Sequence, residues 1–165
     1  MRLTYTTFTA VLITACSGPV VDLEGSVNGE TVTGAAHWGG PHIVFTNSDM
    51  GCKEVGWVER QYGTSDTVEL NTKESFAALQ ITFRSSDIVE GETPITATSP
   101  PANSWFLESD VGVALVTTAT GGSVDLEFDG DDWLIGEIDI DFGASGQIAG
   151  SFEIQNCVNL KSIEQ

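Results

Sequence analysis

The chain has 165 residues, 41% hydrophobic and only 18% charged, and its 24 acidic side chains against 6 basic ones give a formal net charge of −18. That length fits one domain of ordinary size, whose core buries roughly 70% of the unfolded surface without a metal. The charge excludes nucleic-acid binding and electrostatic adsorption to anionic lipid, both of which need a basic footprint, and leaves cations, cationic partners or plain solubility.

Residues 1–15 read as an export signal and stand apart from the fold. Arg2 and the α-amine form a minimal positive region, and Leu3 to Thr14 is uncharged but too short to cross a bilayer. Ile13-Thr14-Ala15-Cys16, followed by Ser17-Gly18-Pro19, resembles the lipobox of bacterial lipoproteins. The resemblance implies that the Cys16 thiol receives a diacylglyceryl group, that the signal is cut just before it, and that the new N-terminus is acylated, with palmitate the typical chain. One acyl chain holds a protein marginally, whereas two or three anchor it stably. An ordinary signal peptide cut near a cysteine is the alternative. Ser17 stands where inner-membrane lipoproteins of enteric bacteria carry Asp, which by analogy points to the outer membrane. Residues 16–22 then serve as a short tether and 23–165 as a single folded domain.

Export leaves Cys52 and Cys157 as an even pair in an oxidising compartment. A structural bridge is expected over two free buried thiols. It would close a loop of about 100 residues, worth up to roughly 4.7 kcal/mol in the chain-entropy model.

From Val20 onward, period-two alternation broken by turn residues predicts half-buried antiparallel strands. Val21, Leu23 and Val27 lead into Asn28-Gly29, a hairpin signal, with Thr31 to Trp38 as the returning strand. Gly39-Gly40-Pro41 breaks that strand, and His42 to Asn47 forms the next. Val55, Val58 and Tyr62 fall at helical spacing, which predicts one short helix near 52–62, with Asp49 as its cap. Further strands are expected at Ser65 to Lys73, Ala77 to Arg84, Pro94 to Thr98 (an edge), Trp105 to Leu107 and Val111 to Thr118, with Pro100-Pro101 forcing a loop. The last third reads as a three-stranded meander: Ser123 to Asp129, Leu134 to Phe142, and Ile148 onward to Cys157. The fold class is therefore all-β, an antiparallel sandwich of jelly-roll type.

Four stretches together resemble a group of small bacterial lipoproteins of myxobacterial type. They are Gly25-Ser26-Val27-Asn28-Gly29, the strand and turn from Ile43 to Cys52, the strand Ala78 to Phe83, and the ending from Ile148 to Cys157. The resemblance spans most of the mature chain and implies a lipid-anchored, disulfide-stapled β-sandwich. It transfers no functional residue.

Catalytic chemistry has little to stand on. Only His37 and His42 are available as imidazole bases, and they flank a tight turn, where two ligands fall short of the usual zinc set. No nucleophile elbow, metalloprotease helix or phosphate-cradling loop is present, and no pair among the 24 carboxylates stands out for glycoside hydrolysis. No catalytic residue is assigned. The concentrated feature is the acidic meander, with Asp125, Glu127 and Asp129 outward on one strand and Glu137, Asp139 and Asp141 outward on the next. Like charges facing each other across strands are destabilising, and calcium would relieve them. The EF-hand spacing fails at the twelfth position, Gly136. Asp129, Asp131 and Asp132 at the turn are the candidate calcium ligands, weighed against a solvated acidic face. Most of the four tryptophans, Trp38, Trp57, Trp105 and Trp133, are expected to be core or partly buried, with Trp105 and Trp133 as the candidates for exposure and stacking on a glycan. The expected role is binding or structural, at the cell envelope.

Overall fold

The computed structural model describes residues 19–52, 75–84, 88–97, 101–110 and 113–157, and these are all-β. The strands are β1 Val20–Val27, β2 Ala36–Gly39, β3 His42–Thr46, β4 Phe76–Phe83, β5 Gly91–Pro94, β6 Ala102–Asp110, β7 Val113–Thr118, β8 Gly121–Asp129, β9 Trp133–Asp141 and β10 Gly146–Asn156. The export signal with Cys16, the remainder of the helix expected over 52–62, the strand at Ser65 to Lys73 and Trp57 lie outside the described residues.

The meander forms as its alternation predicts. Val124 lies opposite Ile138 and Ile138 opposite Gly150, while Phe128, Leu134 and Ile154 continue the same face. Val124, Leu134, Ile138, Ile140, Ile148, Phe152 and Ile154 are buried in one core. Gly150 sits at φ +140°, where a Cβ would lie 2.2 Å from the Asp22 carbonyl oxygen, so only glycine lets β1 close against β10 there.

The strands do not form two sheets. One long edge of β10 pairs with β9; the other is shared between β1, opposite residues 146–153, and β2, opposite Gln155 and Asn156. The β2 step is parallel and links the meander to β3, β4, β6 and β7, making one ten-stranded mixed sheet. The antiparallel sandwich is thus corrected to a single mixed sheet curled as a half-barrel. Alternating apolar stripes need only a facing surface, and a sheet curled on itself provides one. Phe45 of β3 meets Phe152 of β10 edge to face, with ring centroids 5.1 Å apart. Phe106 of β6 meets Phe142, just after β9, at 6.0 Å. The curl brings Ile95, past β5, into a bridge with Ala102 at the start of β6.

Two local expectations change. Asn28 and Gly29 do form a tight turn, at φ +52° and +94°, with Val27 and Glu30 exchanging backbone hydrogen bonds of 3.0 Å. The strand from Thr31 does not return along β1, because Gly34 and Ala35 donate instead to the Thr46 and Ser48 carbonyls. In addition, β1 starts at Val20, so Val20 to Asp22, read as tether, are paired with β10.

β4 is buried on both faces. Its inner residues Ala77, Leu79, Ile81 and Phe83 join the main core, while Phe76 and Ala78 join Val44, Leu107 and Cys157 in a second cluster outside the sheet. Met50 and Cys52 pack on that cluster, and the expected Cys52–Cys157 disulfide is present, spanning Cα atoms 5.5 Å apart.

Candidate functional site

The outward face of β5, β8, β9, β10 and β1 is a field of carboxylates. Strand register assembles it in rows that cross the sheet. One row runs Glu92, Asp125, Glu137, Ser151, Asp22, and the next runs Pro94, Ser123, Asp139, Ala149, Glu24. Asp125 lies directly opposite Glu137 and Glu92 directly opposite Asp125, the like-charge arrangement that costs a sheet stability. Arg84 is the one Lys or Arg among the described residues, it lies beyond β4 away from this face, and none of these carboxylates makes an ion pair with a described residue.

Some acidic groups have structural work. Asp141 accepts from the Gly143 backbone N–H at 2.9 Å and from the Thr120 hydroxyl at 3.1 Å, which secures the turn into β10. Glu90 accepts from the Phe128 N–H at 3.1 Å, tying the approach to β5 onto β8. Asp139 accepts from the Gln147 side-chain amide. Asp125, Glu137, Asp22 and Glu24 have no such bond to a described residue.

The face is also dished. β10 presents only Ala149 and Ser151 between the carboxylates of β9 and β1, so the surface sinks along that strand. A depression of about 510 Å³ lies among Glu90, Asp125, Glu127, Ile135, Glu137 and Ser151. A second, of about 390 Å³, lies among Asp22, Glu24, Glu137, Ala149 and Ser151. They meet at Glu137 and Ser151 to make one acidic trough. Ile135, 37% exposed, contributes an apolar spot to it. Concave surfaces of one charge sign concentrate counter-ions and speed the arrival of oppositely charged partners.

The residues singled out from sequence fall elsewhere. Asp129, Asp131 and Asp132 are exposed at the β8–β9 turn, and no three His, Cys, Asp or Glu side chains among the described residues are grouped to hold a metal ion. Trp38 is buried against Phe128, with ring centroids 5.4 Å apart. Trp105 and Trp133 are both partly buried and occupy one outward row, but Gln155, His37, Val44 and Gln80 come between them. Five strand-to-strand steps of about 4.8 Å put them roughly 24 Å apart along the sheet, too far for one small ligand. His37 and His42 share a face without converging: His37 Nε2 is 3.1 Å from the Met50 carbonyl oxygen, and His42 Nδ1 is 3.1 Å from Thr82 Oγ1.

Asp22, Glu24, Glu90 and Glu92 are among the members of the acidic face that sequence reading missed. Their signal was the outward phase of Asp22 and Glu24 between Val21, Leu23 and Val27, but nothing local tells which strand lies alongside. Set against known proteins, the chain matches no family model, no curated protein and no solved structure. The face is therefore read from its own chemistry.

Proposed function

We propose that this is a lipid-anchored envelope protein, held at the outer membrane through acylated Cys16, which works by binding a cationic partner on its acidic sheet face. The observation behind the binding half is the run of carboxylates across β5, β8, β9 and β1 with no described base among them. The anchor half is supported by the lipobox-like Ile13 to Cys16 and by a disulfide of the kind that persists in oxidising compartments. Calcium is the second reading, favoured by the directly opposed Asp125 and Glu137, whose mutual repulsion a bound cation would relieve.

Each half has its own test. Cells fed labelled palmitate should incorporate the label into the protein, and Cys16→Ala should abolish incorporation; label retained in that variant removes the anchor. For the binding half the probe is a lysine homopolymer. The full chain should bind it with an affinity that falls steeply as salt rises, and Asp125→Asn with Glu137→Gln should weaken it at low salt. Binding unchanged by those two substitutions places the partner on another surface.

A further inference from the structure

The acidic face is not acidic throughout. One outward row crosses it as Glu127 on β8, Ile135 on β9, Glu153 on β10 and Val20 on β1, so carboxylates and aliphatic side chains alternate. Ile135 is 37% exposed and Val20 47%, two of the four large hydrophobic side chains left exposed among the described residues. Each stands among acids. Glu127 and Glu153 flank Ile135 across the strands, with Glu137 two places along β9, and Glu153 and Asp22 are placed in the same way about Val20. Trp133, partly buried and two places before Ile135 on the same face, extends the apolar line along β9. Glu127, Ile135, Glu137, Val20 and Asp22 are all exposed, so no described element covers the row. Single exposed aliphatic residues are ordinary on a protein surface. Two in one row, interleaved with carboxylates beside a concave surface, give that surface a chemical preference.

We propose that this face docks an amphipathic basic segment of a polypeptide, one in which aliphatic side chains are interleaved with Lys or Arg. The inference rests on the reading of the face as a site for a cationic partner, and it names what that partner carries besides charge. Complementarity selects it. A bare metal cation would find oxygens on Glu127 and Glu153 but would leave Ile135 and Val20 in water. An apolar or anionic partner would cover carboxylates without a counter-charge, at a steep desolvation cost. A basic segment with aliphatic side chains satisfies both components. Its cationic groups meet Glu127, Glu137, Glu153 and Asp22, while its aliphatic groups remove Ile135 and Val20 from water. The row is also long enough: three strand-to-strand steps of about 4.8 Å span roughly 14 Å, some four residues of extended chain.

The test uses the full chain, disulfide intact, and two labelled peptides of equal length and charge, followed by fluorescence anisotropy. Lysine alternates with serine in one peptide and with valine in the other. The valine peptide should bind about tenfold more tightly, the scale of one aliphatic side chain buried. It should also stay bound at salt concentrations that release the serine peptide. Ile135→Ser should bring the two peptides to equal affinity. Val20→Ser, at the exposed start of β1, should narrow the gap even if Ile135→Ser fails to fold. Leu115→Ser, which alters an exposed side chain on β7, should leave the preference intact. Equal affinity of the two peptides for the parent chain, or a preference that survives in a folded Val20→Ser or Ile135→Ser variant, overturns this inference and leaves the cationic-partner reading standing. Binding of neither peptide overturns both.

Discussion

Gly136 shows how one missing side chain governs packing across the meander. A Cβ there would lie 2.6 Å from Phe152 Cζ and 2.7 Å from both Leu126 Cδ2 and the Asp125 carbonyl oxygen. The Phe152 ring fills that space and reaches Phe45 on the far wall of the core. Gly136→Ala is therefore expected to destabilise the fold by about 1–3 kcal/mol through overpacking, lowering the midpoint of denaturant unfolding. An unchanged midpoint would mean that the ring and Leu126 relax without cost. Alternation alone placed Gly136 inward, but the reason for a glycine lies in Phe152, sixteen positions later. Asn28 behaves alike: its turn conformation is local, yet its side-chain amide donates to the Glu108 carboxylate on β6.

Among the elements, free edges receive unequal protection. β5 is four residues long, carries Glu92 and ends on Pro94, the means by which sheets discourage added strands. β1 bears Asp22 and Glu24 along its length. The acidic trough depends on three elements meeting in register, with β10 supplying small outward residues and its two neighbours supplying the carboxylates. Shifting β1 by one residue against β10 would turn Asp22 and Glu24 into the core, so the hydrophobic phase of Leu23 and Val27 fixes the trough as well.

For the whole molecule, the net charge of −18 makes stability sensitive to ions. Thermal melts in sodium, magnesium and calcium chloride at matched ionic strength separate two causes. Screening of mutual repulsion raises the melting temperature about equally in all three salts. A saturable rise specific to calcium means that the native state binds the ion, since a ligand stabilises only through preference for the folded form. Loss of that rise in Asp131→Asn with Asp132→Asn would place the ion at the β8–β9 turn. Persistence of the rise would place it among the carboxylates of the trough.

Much of this protein was readable along the chain. All-β character, the β8–β9–β10 meander, β3, β4 and the Cys52–Cys157 bridge follow from period-two alternation, turn residues and an even pair of cysteines, which are local patterns or simple counts. Tertiary structure decided the rest. The parallel step from β10 to β2 replaced two sheets with one curled sheet, because burial rewards any surface that covers an apolar stripe and the stripe does not name its partner. The same pairing gathered Asp22, Glu24 and Glu92 beside the meander's carboxylates, set Val20 in one row with Ile135, and held Trp105 apart from Trp133. Alternation says which way a side chain faces; only strand pairing says what it faces alongside.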